Sequence, residues 1–201
     1  SCHPDLIHCW GQHRSFSIQL ALRLSGCSRV LWSVRSEAEA KGLLASLPPR
    51  KSHTIVTNAA HLARRLSHHQ SSNGRVTMIP NSVQPMPAPE VVTPLPTLLG
   101  VSRNSIFLVA MSDLRQSKRL RDVVWAFDLL RVIRPETQLI VIGEGRERGP
   151  VMAFIQSAAS APGIHWLGFQ STPHAVLSQC HVFWQASEDE GCSNSLLEAL
   201  Y

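Results

Sequence analysis

Glu190 and Glu198 bracket the run Gly191-Cys192-Ser193-Asn194-Ser195-Leu196-Leu197 near the end of the chain. The apolar run Val182-Phe183-Trp184 before it reads as a buried strand, and Glu190-Gly191 as the loop leaving that strand's carboxyl end. Ser193-Asn194 reads as the cap of a helix carrying Leu196, Leu197 and Leu200. Glu190 then stands in the loop and Glu198 one to two turns into the helix, so the spacing makes one site of the two carboxylates. A helix N-terminus preceded by glycine offers free backbone N–H groups to an anion, and carboxylates beside it accept hydrogen bonds from a polyol. A phosphate joined to sugar hydroxyls describes a nucleotide-sugar. Cys192 reads as a small loop residue, because nothing near it in sequence supplies the base that a thiol nucleophile needs.

The elements that position these residues follow from periodicity. In the first half, strands are expected at Asp5–Trp10, Val30–Val34, Thr54–Thr57 and Val76–Ile79, with helices at Phe16–Leu24, Glu37–Leu47 (stopped by Pro48-Pro49) and Ala59–His68. Such alternation implies a parallel sheet with helices on both faces. Between Gln84 and Gly100 stand Pro85, Pro87, Pro89, Pro94 and Pro96 with almost no charge. Proline fixes φ and removes a donor, so this stretch is expected as a semi-rigid linker that is neither helix nor central strand. A second sheet follows: strand Ile106–Met111, helix Asp122–Ile133, strand Gln138–Ile142, helix Pro150–Ala161, strand Ile164–Leu167, helix His174–Gln179, strand Val182–Gln185, then the Ser193 helix. The division expected is 1–83, a linker at 84–100, and 101–201.

In open parallel sheets ligands sit at the carboxyl ends of the strands, in the loops that open the helices. Lys118, Gly143-Glu144-Gly145, Gly168-Phe169 and Glu190-Gly191 all fall in such loops. Lys118 is a mobile cation suited to a diphosphate; its bland alternative is a solvent-facing lysine. Gly143-Glu144-Gly145 lacks the third glycine of a dinucleotide fingerprint, and a tight turn after a buried strand is its alternative reading.

Composition bounds the rest. An apolar fraction of 44% is ordinary for a globular chain, and no apolar run approaches the ~20 residues of a membrane span. Ser1-Cys2-His3-Pro4 has neither the charged region nor the apolar region of a signal peptide. Five cysteines, odd in number and without a C-x-x-C pair, argue against a disulfide framework or structural zinc and for a reducing cytoplasm. A net charge of +5 and a pI near 9.3 invite a nucleic-acid reading, but the cations are not interleaved with aromatics on one element, so no nucleic-acid partner is expected. The exception in spacing is Arg115, Lys118, Arg119 and Arg121. Cations are poorly placed for the dipole at a helix start, so an anion is expected beside them, either a phosphate or an acidic membrane surface touched peripherally.

Several segments together resemble retaining glycosyltransferases of the GT-B fold, glycosyltransferase family four in particular. Glu190-Gly191 to Glu198-Ala199-Leu200 is similar to the family's E-x7-E segment, Ile164-His165-Trp166-Leu167-Gly168-Phe169 to its V-x-F-L-G-F strand and loop, and Leu139–Gly145 to its L-x-I-V-G-x-G. Lys118 precedes an amphipathic helix ending in Ala126-Phe127, as in the family. Pro80-Asn81-Ser82-Val83 resembles its I-P-N-G-V, and Asp5-Leu6-Ile7-His8 its D-V-V-H strand.

The resemblance implies two Rossmann-like parallel-sheet domains and transfer of a sugar from a nucleotide-diphosphate-sugar to a glycan, lipid or other acceptor hydroxyl. It also implies that no metal is needed. Glu190 would contact the sugar, Glu198 the ribose and Lys118 the diphosphate, while the amides of Cys192, Ser193, Asn194, Ser195 and Leu196 hold sugar and phosphate. His13 or His8 would stand nearest the transferred carbon. For Cys2, His3, His8, Cys9 and His13 the rival readings are a metal site of no standard spacing and plain surface residues.

One departure concerns the donor side. Ser112-Asp113-Leu114 stands where the family commonly has Gly-Arg-Leu, and Asp113 would repel a phosphate. The glycine-rich acceptor loop and the last donor-domain strands have no counterpart, so both domains are expected to be incomplete and this chain a fragment, inactive as given. The alternatives carried forward are a non-catalytic binding or scaffold protein of the same fold and a nucleotide-sugar epimerase.

Overall fold

A computed structural model describes residues 4–11, 16–46, 53–69, 75–83 and 92–201. The chain forms two compact units: Ser1–Ser82 with Asp189–Ser193, and Val83–Glu188 with Asn194–Tyr201.

The first unit alternates β1 (Ile7–Trp10), α1 (Phe16–Leu24), β2 (Val30–Val34), α2 (Glu37–Ser46), β3 (His53–Thr57), α3 (Ala60–His69) and β4 (Arg75–Met78). Its four strands lie in the order β1-β2-β3-β4, all parallel. Trp32, Val34, Ile55, Leu62 and Leu66 are buried in one cluster between sheet and helices. A sheet covered on both faces needs near-continuous apolar strands, which is what Val30–Val34 supplies. At the start of α2 the Ser36 hydroxyl accepts the Glu39 N–H, and the Glu39 carboxylate accepts the Arg35 N–H, a reciprocal cap.

The second unit runs α4 (Leu95–Leu99), β5 (Ile106–Met111), α5 (Leu120–Ile133), β6 (Thr137–Ile142), α6 (Arg148–Ser157), β7 (Ile164–Gly168), α7 (His174–Leu177), β8 (Val182–Phe183) and α8 (Asn194–Leu200). Its parallel sheet has the order β7-β6-β5-β8. All six residues of β6 are buried, which makes it the unit's most enclosed strand. Phe127, Val124 and Leu120 of α5 and Val151 and Ile155 of α6 pack on one face of the sheet, while Leu95, Val176 and Leu177 pack on the other.

Three expectations from sequence change. Leu95–Leu99, within the proline stretch, is a helical turn: Pro96 lies in its first turn, where a missing N–H costs nothing, and Gly100 closes it at φ 66°. Leu95 is buried, and its N–H donates to Gln179 Oε1 at 2.8 Å; residues 84–91 lie outside the described residues. The helix expected to reach Ala161 ends at Ser157, and Ala161–Gly163 forms a separate 3-10 turn containing Pro162. The strand expected over Val182–Gln185 pairs with β5 only at Val182 and Phe183.

Candidate functional site

The loops at the carboxyl ends of the second unit's strands are tied to one another by backbone hydrogen bonds. After β5, Ser112 N–H donates to Ile142 O at 3.1 Å and Leu114 N–H to Glu144 O at 3.0 Å. After β6, Gly143 N–H donates to Gly168 O at 2.8 Å, joining that loop to the one after β7. After β8, Glu188 N–H donates to Ser117 O at 2.8 Å. The loops that hold Lys118, Gly143, Gly145, Gly168 and Phe169 therefore form one connected surface.

Two glycines make this approach possible. Gly143 has φ 133°, and a Cβ on it would collide with the Ser112 carbonyl; a Cβ on Gly145 would collide with the Leu114 backbone. Both are needed where this loop passes close to the backbone of the loop after β5. Gly168 has φ 69°, and the Phe169 side chain beyond it is exposed. Glu144 faces Arg148 through both its oxygens at 3.1 Å.

Lys118 ends the 3-10 turn Gln116–Lys118 with its side chain only 14% exposed, and its ammonium lies 3.9 Å from Asp113 Oδ1. The solvent-facing alternative therefore does not describe it. The basic cluster around it is balanced by the protein's own carboxylates: Arg115 with Asp113, Arg119 with Asp122, and Arg121 with Glu147 at 3.8 Å. Sequence reading looked for an external anion here, yet the counter-ions lie in the same unit. Arg119 is the one described non-glycine residue with positive φ, at 51°, and its guanidinium pairs with Asp122 in the first turn of α5. A groove of about 580 Å³ opens beside this cluster, lined by Leu114, Arg115, Arg119, Arg121, Glu147 and Glu188 among others.

Ser195, Leu196 and Glu198 lie on α8 with Asn194, which is its first residue; the helix has seven residues. Glu198 is partly buried and Leu196 exposed. Glu190, Gly191, Cys192 and Ser193 belong to the segment that packs in the first unit. There Asp189 accepts the Glu37 and Ala38 N–H groups at 2.7 and 3.2 Å, occupying the start of α2. Asn81 Nδ2 donates to Cys192 O at 2.9 Å, and Gly191 sits against the Arg35 carbonyl and Asn58 Oδ1 with no room for a Cβ. Glu190 is partly buried and Ser193 buried. Asp189 was missed by sequence reading because its partners are more than a hundred residues away; Asn81 had been singled out only as part of the Pro80–Val83 resemblance.

His13 lies outside the described residues. His8 Nε2 is 2.8 Å from Ser33 Oγ and Cys9 is buried, its thiol pKa raised by that burial. Among the described residues no group of three His, Cys, Asp or Glu side chains could hold a metal ion, and Cys9, Cys27, Cys180 and Cys192 are free thiols. Among them, too, no helix is long and apolar enough to cross a membrane.

Two α/β units with four-stranded parallel sheets, one with closely tied loops at its strand ends, define the Rossmann-like architecture of GT-B proteins. The family model Glycosyl transferases group 1 matches residues 99–201, and the chain belongs to that family. Among curated proteins it is 28% identical over 109 residues to N-acetyl-alpha-D-glucosaminyl L-malate synthase of Bacillus anthracis, covering 54% of this chain and 28% of that protein. It is 28% identical over 94 residues to N-acetylgalactosamine-N,N'-diacetylbacillosaminyl-diphospho-undecaprenol 4-alpha-N-acetylgalactosaminyltransferase of Campylobacter jejuni, covering 47% of this chain and 25% of that one. In fold it resembles Anabaena HepE, solved with UDP-glucose, with a TM-score of 0.74 and 15% identity over 98% of this chain and 57% of the other. The chain thus matches about a quarter of the length of the two curated relatives.

Proposed function

We propose that this chain is part of a retaining glycosyltransferase that moves a sugar from a nucleotide-diphosphate-sugar to a hydroxyl of a glycan, lipid or other acceptor. The observation that carries the reading is the set of tied loops at the carboxyl ends of β5, β6, β7 and β8, with the largely hidden Lys118 among them. Lys118 neutralises the leaving diphosphate, and the backbone of the Gly143–Gly145 loop meets the donor. Glu190 accepts hydrogen bonds from the sugar, and Glu198 from the ribose. His13 or His8 is assigned the polar role nearest the transferred carbon, and the acceptor oxygen attacks on the face that the phosphate leaves. With cations and amides offsetting the charge, the chemistry needs no metal.

A peripheral contact with an anionic membrane is part of the proposal. It draws on the net charge of +5 and on the exposed apolar stripe Trp125, Leu129, Val132 and Ile133 along α5. The odd number of cysteines without a C-x-x-C pair supports the reading of a reducing cytoplasm.

The test is thermal unfolding against a panel of UDP, GDP and their sugars. A true donor nucleotide at ~100 times its Kd stabilises by about 2.7 kcal/mol. Absence of any shift across the panel would sink the donor reading. For a nucleotide-sugar that binds, product analysis with acceptor separates transfer with retention from epimerisation. The second reading, a binding protein without catalysis, is favoured by Asp113 beside Lys118; binding without turnover in the chain extended to the length of its relatives would select it.

A further inference from the structure

Asp113 stands against two cations of the loop that carries Lys118. One of its oxygens lies 3.9 Å from the Lys118 ammonium and the other pairs with Arg115 Nε. The backbone that holds it cannot easily move away. Leu114 next to it is buried, with its N–H donating to Glu144 O and its carbonyl accepting from Glu147 N–H, and Asp113's own carbonyl accepts the Arg115 N–H. Ser112, on its other side, is held to Ile142 O.

We propose that Asp113 is an intramolecular competitor for the anion that Lys118 takes, so that it sets how strongly the site answers to phosphate charge. This rests on the reading of Lys118 as the donor's phosphate cation. A phosphate arriving at Lys118 meets a carboxylate already on the same ammonium. Either the Asp113 side chain turns wholly to Arg115, breaking one ion pair, or the phosphate stands off. In both cases each added phosphate charge gains less affinity than it would beside an uncompensated lysine, and the site favours donors bound through base and sugar over donors bound through charge.

The experiment is calorimetry of nucleoside, monophosphate and diphosphate, in the uridine and guanosine series, on wild type, Asp113→Asn, Asp113→Glu, Lys118→Ala and the Asp113→Asn/Lys118→Ala double variant. Removing a like charge at this range is expected to tighten diphosphate binding roughly three- to tenfold. Nucleoside affinity should stay unchanged in Asp113→Asn, Asp113→Glu should stay close to wild type, and the gain should vanish without Lys118. An Asp113→Asn variant that binds diphosphate no more tightly than wild type, while Lys118→Ala weakens it, overturns the inference and leaves the donor reading standing. Equal gains for nucleoside and diphosphate would mark a conformational effect and overturn it as well. If neither wild type nor Asp113→Asn binds any nucleotide, the donor reading fails and takes the inference with it. Circular dichroism melts of the Asn and Glu variants identify any loss of fold.

Discussion

Replacing Gly143 with alanine places a methyl group where the β6 loop crosses the β5 loop. The residue has φ 133°, a conformation that side chains rarely adopt, and the new Cβ would overlap the Ser112 carbonyl oxygen. Strain of this kind costs about 1–3 kcal/mol. Relief requires the two loops to separate, which strains the Ser112 N–H bond to Ile142 O and the Gly143 N–H bond to Gly168 O, each worth about 1 kcal/mol net. The expected loss is therefore about 3–5 kcal/mol, a large share of the roughly 5–15 kcal/mol of a typical domain. Urea unfolding followed by the fluorescence of Trp166 and Trp184, which pack against this unit's core, should show the midpoint falling by about 1.5–2.5 M at a slope of about 2 kcal/mol/M. Gly149 is the matched control: it lies in the first turn of α6, has open space around it, and its alanine variant should stay within about 0.5 kcal/mol of wild type. A Gly143→Ala midpoint within error of wild type would refute the claim that this glycine is needed for loop passage.

Asp189→Ala should destabilise the first unit by about 1 kcal/mol through loss of the cap on α2, read by urea unfolding at the buried Trp32; no change would mean that the contact adds nothing. His165 donates from Nε2 to Gln138 Oε1 at 2.9 Å, and burial first, then the charge of Arg131, hold its pKa below the ordinary 6.5. The unfolded chain therefore binds the extra proton first. Stability should be full above about pH 6.5, fall as the pH drops through that value toward the folded pKa, and level off below it, and His165→Gln should flatten that part of the profile. Burial pushes the Cys180 thiol up to about 12, so iodoacetamide at pH 7.5 should label it only after denaturation; a native peptide map showing labelled Cys180 would contradict this.

The elements of both sheets were legible because they are written locally. Val30–Val34 and Ile106–Met111 are apolar runs of strand length and were placed to the residue, and the α5 pattern needed only its first turn moved from Asp122 to Leu120. The placement of Gly143, Gly145, Gly168 and Lys118 in strand-end loops was legible because glycines and cations after buried strands fall at the ends where a parallel sheet opens. The turn Leu95–Leu99 was not legible, since its stability comes from Leu95 burial and the distant Gln179 side chain.

What the sequence determined alone is the order of strands and helices and the identity of the groups in the strand-end loops, because periodicity and loop chemistry act over a few residues. The tertiary structure decided who neutralises whom. Asp122 pairs with Arg119 within one helical turn, but Glu147 reaches Arg121 and Asp189 reaches α2 only after the chain has folded back. An ion pair depends on distance in space, which is why a cluster of arginines that looked in need of an external anion already has its counter-charges within the protein.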